Sequence, residues 1–382
     1  MAPTTRHGQA RRPWGVWGAE APQKKEYPPL VTDQPQQPDH GPGARVSLRD
    51  VAARAGVSVA TASRVMSGSS HPVSVETKQR VMSAAESIGF EPNRLARALV
   101  TARSQTIGVM VHDISDPYFG EIVKGLEDGL RDSDYRIFVA SSDRAPGAEL
   151  DYVRAFRSQQ VDALVFAASG LDHSYHEEEL SRLVNRYRRA GGVAVALSDH
   201  VLNLPHVRFE NHSAVADMVS YLVDKGHSRI AYLNGPPELS VCRVRLNGYH
   251  TAMEKFGLDH GDALVEGGGF SPRGGFDAVA KLAERTEFTA VLAANDLMAI
   301  GATRRLVASG IGVPDQVSVA GLDDIAISEY GPVPLTTMRL PTDELGRHGA
   351  MMILSMLAGE SVDNVSIPGS LVERESVGPV PK

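Results

Sequence analysis

The residue with the most legible chemistry is Arg64, which closes the run Ser58-Val59-Ala60-Thr61-Ala62-Ser63-Arg64. A guanidinium can donate two hydrogen bonds to a guanine edge in the major groove of DNA, worth about 1–3 kcal/mol of discrimination against a wrong base. Its neighbours suit the same task. Val59 and Ala60 are short and apolar, able to touch a thymine methyl but unable to donate a hydrogen bond. Thr61, Ser63 and the later Asn93 carry small polar groups suited to phosphate contacts, which hold register while base contacts choose sequence.

Those side chains need a rigid carrier, and Ser47 to Ser67 supplies one. Leu48, Val51, Ala52 and Ala55 recur at i, i+3, i+4 and i+7, the spacing of one helical face. Gly56 stops that helix, because glycine takes a left-handed backbone without steric cost. Val57 plugs the corner, Ser58 caps the next helix, and Ala62, Val65 and Met66 face inward from it. Ala52 and Ala53 are small enough for two helices to cross closely. The pattern predicts a helix-turn-helix whose second helix enters a major groove. Ser74 caps a third helix carrying Val81, Ala84, Ala85 and Ile88, with Glu76 in its first turn and Gly89 at its close.

A chain of 382 residues, 42% of them hydrophobic, has room for two or three domains with real cores. The net charge of -7 argues against a protein that coats nucleic acid indiscriminately. Its distribution is uneven: nine Lys and Arg oppose four Asp and Glu between Arg45 and Arg103, so a basic module sits on an acidic body. The single cysteine, Cys242, leaves no internal disulfide and no cysteine-based zinc site, and suits a reducing cytoplasm. No apolar run approaches the ~20 residues of a membrane helix. Nothing after Arg11-Arg12 forms the hydrophobic core of an export signal. Residues 1–44, rich in proline, glutamine and charge, are expected to be a disordered leader.

After the helix-turn-helix domain, placed at 45–91, Pro92 opens NRLARALV, too short to hold a helix alone in water. From Thr106 onward the pattern changes. TIGVMV, RIFVA, DALVFAA, GVAVAL, RIAYLNG, AVLAAN and VSVAG are short apolar runs separated by amphipathic stretches. Strands so far apart, joined by helices, must be parallel, so residues 104–382 are expected to form a doubly wound α/β body long enough for two sheets with a cleft between.

The stretch from about Val46 to Val377 resembles the LacI/GalR family of transcriptional regulators, on the helix-turn-helix SLRDVAARAGVSVATASRVMS, the NRLARALV segment, HDISDPYF, CRVRLNGY, LAANDLMAIGA and AGLDDI. The resemblance implies an all-α helix-turn-helix domain followed by a periplasmic-binding-protein-like effector and dimerisation domain. Its two doubly wound lobes would exchange the chain near His212, Leu340 and Ile367. It makes Val59 and Ala60 the positions that set operator choice. Residues 92–103 become a hinge helix in which Leu99, preceded by Arg97, wedges into the minor groove at the operator centre. Such a wedge costs a few kcal/mol of unstacking, repaid by contacts to the bent DNA. Two hinges are needed to open one groove, which implies a homodimer on a pseudo-palindromic operator. The long leader is a departure from the family pattern.

The same resemblance implies an effector pocket at the strand ends. His112, Asp116, Tyr118 and Phe119 come from HDISDPYF; Asp199 ends another strand; Arg245 aims at ligand oxygens; Phe270 stacks on one ligand face; Asn295, Asp296 and Asp323 complete the set. Asp116 stands where asparagine is commoner, which gains a charge and loses a donor. Carboxylates, an amide, a forked guanidinium and flat rings suit the hydroxyls and apolar face of a sugar, with Arg245 offsetting Asp199 and Asp323.

An enzyme fits poorly. GGGFSPRGG lacks the GK[ST] ending and the GxGxxG spacing of phosphate loops, and His173 and His176 lie outside any HExxH metal pattern. A secreted transport protein would lack the helix-turn-helix. The sequence therefore reads as a cytoplasmic, non-enzymatic dimeric repressor of double-stranded DNA, without cofactor or metal and off the membrane. A small carbohydrate would release its operator; a purine or other metabolite acting as corepressor is the alternative.

Overall fold

The computed structural model of the chain describes residues 46–67, 71–90, 103–145, 147–171 and 174–380. The leader 1–44, Asn93, Arg97, Leu99 and His173 lie outside the described residues. Contacts divide the chain into two compact units between Glu91 and Pro92.

The first unit is three helices. α1 (Leu48–Ala55) opens on a capping box in which Ser47 and Asp50 satisfy each other's end of the helix, and it stops at Gly56, whose φ of 63° and ψ of 39° are left-handed. α2 (Val59–Met66) starts on Ser58, whose hydroxyl accepts from Thr61 N at 3.1 Å. α3 (Val75–Ser87) starts on Ser74 in the same way. Val51, Ala52, Ala55, Ala62, Val65, Val81, Ala84 and Ala85 are buried together at their crossing. Ala52 makes the close approach expected of it, whereas Ala53 is exposed and takes no part in the crossing.

The second unit has two α/β lobes. In the first, β1 (Thr106–Val111), α4 (Pro117–Gly129), β2 (Arg136–Ser141), α5 (Ala148–Ser158), β3 (Ala163–Phe166), α6 (Ser174–Arg189) and β4 (Val193–Ala196) build a parallel sheet of order β2-β1-β3-β4. The chain then forms β5 (Val207–Phe209) and enters the second lobe at α7 (Asn211–Asp224). There follow β6 (Ile230–Asn234), α8 (Ser240–Lys255), β7 (Val265–Gly267), α9 (Pro272–Arg285), β8 (Ala290–Ala293), α10 (Asp296–Ala308), β9 (Ser318–Asp323), the short α11 (Ile327–Tyr330) and β10 (Thr336–Arg339). α12 (Thr342–Leu357) returns to pack on α4 and β4 of the first lobe. β11 (Val365–Ile367) pairs with β5, and β12 (Ser370–Val372) ends in the second sheet, whose order is β12-β10-β9-β8-β6-β7.

Two features depart from the expected pattern. β12 runs antiparallel to β10, so the second sheet is not wholly parallel. β5, β7, β10, β11 and β12 are absent from the apolar runs because they are three or four residues long and lean on partners distant in sequence. β3 and β4 are buried on both faces residue by residue, whereas the edge strand β2 is largely exposed, with Phe138 and Val139 open to solvent. α4 and α12 cross through glycines: a Cβ on Gly125 would overlap the Asp343 backbone, and one on Gly346 the Ile122 backbone. The close crossing ties the returning α12 to the lobe that carries one wall of the cleft.

Candidate effector cleft and DNA-reading helix

On α2 the inward face and the outward face separate cleanly. Ala62 and Val65 are buried, and Ser58, Val59, Ala60, Ser63 and Arg64 are exposed. Thr61 is half-buried, and its hydroxyl shares a 2.9 Å hydrogen bond with Ser58 Oγ. Of the nine residues expected to meet DNA, Ser58 and Thr61 thus also build the cap that starts the helix.

A cavity with about 550 Å³ of space, counting the part that opens to solvent, lies between the lobes of the second unit. The first lobe lines it with His112 after β1, Asp116, Tyr118 and Phe119 at the start of α4, Arg144 after β2, Ser169 after β3 and Ser198 after β4. The second lobe and its entry supply Phe209, Asn211, Val241, Arg245, Phe270, Asn295 and Asp323. These are carboxyl ends of strands and amino ends of helices, where open α/β sheets present side chains to ligands.

Arg245 is the centre of the second-lobe wall. It is 4% exposed, and its Nε donates to Asn211 Oδ1 at 2.8 Å, its Nη1 to the Ala294 carbonyl, and its Nη2 to Asp323 Oδ1 at 3.3 Å. Burial pushes the Asp323 carboxyl well above the usual carboxylate range, with Arg245 opposing the shift. Asp323 also has a left-handed φ of 114°, a strained geometry for a residue with a Cβ. Asn295 caps α10 by accepting from Met298 N at 3.0 Å while lining the cleft.

The first-lobe wall is less committed. Asp116 caps α4 through Tyr118 N at 3.1 Å, and burial raises its pKa. His112 is buried, with Nδ1 3.2 Å from Ser142 Oγ and Nε2 without a partner. Burial lowers its pKa to about 4, so the imidazole is neutral at physiological pH. Phe119 meets both His112 and Tyr118 edge-on, at centroid distances of 6.0 and 5.1 Å.

Two expected pocket residues stand elsewhere. Asp296, next to the cleft residue Asn295, is fully buried and points away from the cavity. Its carboxylate accepts from Ile325 N at 3.1 Å, Ser328 Oγ at 2.6 Å and Thr337 Oγ1 at 2.5 Å, tying α10 to the β9–β10 region. Asp199 does not line the cavity either. It accepts from Arg208 Nη1 and Asn211 Nδ2, both at 3.1 Å, and so meets Arg245 only through Asn211. Arg144, Asn211, Ser169, Ser198, Phe209 and Val241 were not singled out from sequence. The asparagine that opens a helix directly after β5 was the available signal for Asn211. Among the described residues no group of three or more His, Cys, Asp or Glu could hold a metal, and no helix is long and apolar enough to cross a membrane.

Residues 47–93 match the family described as "Bacterial regulatory proteins, lacI family", and residues 219–377 match a "Periplasmic binding protein-like domain". The transcriptional repressor CytR of Escherichia coli K12 is 31% identical over 321 residues, covering 84% of this chain and 92% of that protein. The chain belongs to the LacI family of transcriptional regulators. Solved LacI-family structures agree in fold. The lac repressor dimer bound to operator and the anti-inducer ONPF superposes with a TM-score of 0.76 at 29% identity, covering 88% of this chain and all of that one. The regulator CelR in complex with cellobiose gives 0.64 at 29% identity, covering 87% of this chain and all of that one. As a LacI-family member the chain is a DNA-binding regulator and not an enzyme.

Proposed function

We propose that the chain is a homodimeric cytoplasmic repressor whose hold on a pseudo-palindromic operator is released by a small carbohydrate bound between the lobes. The observation that carries this reading is the make-up of the cleft. Asp116, Asn295, Asp323 and Arg245 offer acceptors and donors for hydroxyls, and Phe209, Phe270, Tyr118 and Phe119 offer ring faces and edges for the apolar side of a sugar. CelR, similar over most of its length, is known with cellobiose bound, and the lac repressor as a dimer on its operator.

In this reading Val59, Ala60 and Arg64 meet base edges. Ser58, Thr61, Ser63 and Asn93 hold phosphates, and Arg97 and Leu99 form the hinge that opens the minor groove. A ligand that binds one lobe arrangement better than the other shifts the population of hinge pairs able to seat on DNA. Asn211 lines the cleft and also holds Arg245, while Asp199, outside the lining, acts as a positioning residue through Asn211.

The test is operator binding by the purified chain, on the DNA beside its own gene, with and without a panel of sugars at fixed salt. Salt is held because phosphate contacts make affinity depend steeply on it. Release by one sugar supports the reading. Tightening of binding by a purine or other metabolite, with no sugar effective, replaces it with a corepressor mechanism.

A further inference from the structure

The cleft contains two guanidiniums in different states. That of Arg245 is engaged on all three nitrogens, by Asn211, Ala294 and Asp323. That of Arg144 lines the same cleft from the first lobe, in the turn between β2 and α5. No hydrogen bond or ion pair among the described residues engages it, and its Nε is shielded from solvent without an acceptor. The turn that delivers it is left-handed at Asp143 (φ 49°) and Arg144 (φ 57°), a backbone disfavoured for residues with a Cβ. Such geometry has to be held in place by its surroundings.

Arg144 reaches across to the other lobe. Its guanidinium carbon stands 6.0 Å from the centroid of Phe270. Phe270 and Cys242 in the first turn of α8 both border Gly235, where an added Cβ would lie 2.5 Å from Phe270 Cζ and 2.6 Å from Cys242 Sγ. α8 begins there with Leu239 at its cap position; its Ser240 N–H donates to the Gly170 carbonyl and its Cys242 N–H to the Leu239 carbonyl, both at 3.0 Å, and Val241 of that turn lines the cleft. The unpaired guanidinium therefore stands in a corner of the cavity where those N–H groups are already satisfied and Arg144 is a free donor group. Neither cleft carboxylate pairs with Arg144: Asp323 accepts from Arg245 and Asp116 caps α4, each through one oxygen that leaves further lone pairs for hydroxyls.

We infer that this corner is an anion subsite: the effector carries a carboxylate or a phosphate at one end of its hydroxylated frame, gripped by Arg144. A planar guanidinium forks onto either group with two parallel hydrogen bonds. The rest of the frame remains neutral, because Asp116 at the same wall accepts hydroxyl protons and repels a second anion. The inference rests on reading the cleft as a carbohydrate site, and it narrows the class to acidic sugars.

The experiment measures binding to the full-length chain by isothermal titration at fixed ionic strength. Its panel pairs neutral aldohexoses with their uronates and their 6-phosphates. The expected result is that one uronate or one 6-phosphate binds at least about tenfold tighter than its parent sugar. Arg144→Gln should erase that margin, and Arg144→Lys should retain part of it. The uronate and phosphate arms tell the two anions apart. A neutral sugar that binds as well as both its acidic forms, or an acidic form whose affinity Arg144→Gln leaves within twofold, overturns the subsite while the carbohydrate reading stands. No binding by any panel member overturns both.

Discussion

Replacing Arg245 by alanine removes the one cation that faces Asp323 at hydrogen-bond distance inside the second-lobe wall. The pair is 3.3 Å apart and the two side chains are 4% and 6% exposed. At that distance two unit charges attract by about 5 kcal/mol with an effective dielectric constant near 20. Breaking a buried pair by deleting one partner costs about 3–5 kcal/mol, because the survivor keeps its desolvation penalty. Asp323, already raised by burial, rises further once Arg245 is gone. A carboxyl whose folded pKa lies above its unfolded value contributes stability below the unfolded pKa and loses it as pH climbs through the folded one. The deficit of Arg245→Ala should therefore be about 3–5 kcal/mol at pH 7.5 and shrink as pH falls, because Asp323 needs less counter-charge as it takes up its proton. Urea titration followed by circular dichroism is the suitable assay, since both tryptophans, Trp14 and Trp17, lie in the leader. A deficit below 1 kcal/mol at pH 7.5, or one that shrinks as pH rises, refutes the reasoning. Adding Asp323→Asn to the variant should recover part of the loss.

Asp296, whose carboxyl is pushed up to about 7 by burial, should make the wild type lose stability as pH rises from about 4 to about 7, by up to about 4 kcal/mol. Melting temperature against pH for wild type and Asp296→Asn reads this, and the variant should show the flatter profile. Ser58→Ala removes the hydroxyl that accepts from Thr61 N, so the first unit should lose about 1 kcal/mol, seen as faster amide exchange in α2 with the second unit unchanged. Arg64→Ala should weaken operator binding by about 1–3 kcal/mol in fluorescence anisotropy while binding to random DNA changes little. Equal losses on both DNAs would make Arg64 a phosphate contact.

Much of the first unit is legible in the chain because its rules are local. The cap at Ser47, the stop at Gly56 and the cap at Ser58 each act over about four residues, and the inward set at Ala62 and Val65 follows from a single helical period. The β1, β3, β6 and β8 strands are similarly legible as apolar runs buried on both faces. The cleft is legible in outline because ligand-facing residues sit where a strand ends and a helix begins, as His112, Asp116 and Asn295 do.

What local rules cannot carry is the direction a side chain takes and the partner it finds. Asn295 and Asp296 are adjacent, yet one lines the cavity and the other is locked under it by Ile325, Ser328 and Thr337. Asp199 and Asp323 look alike as strand-end carboxylates, but only Asp323 reaches Arg245 directly, across 78 positions of sequence. β5 and β11 become strands only through each other, and Arg144 becomes a cleft residue only because a left-handed turn in one lobe is set against Phe270 in the other. Periodicity and capping, encoded within a few residues, set the helix-turn-helix and the strand and helix alternation, while the chemistry of the cleft was legible through the family resemblance. The tertiary structure alone decided which charges pair, which face the cavity and which guanidinium stays free, because those outcomes depend on packing between segments far apart in the chain.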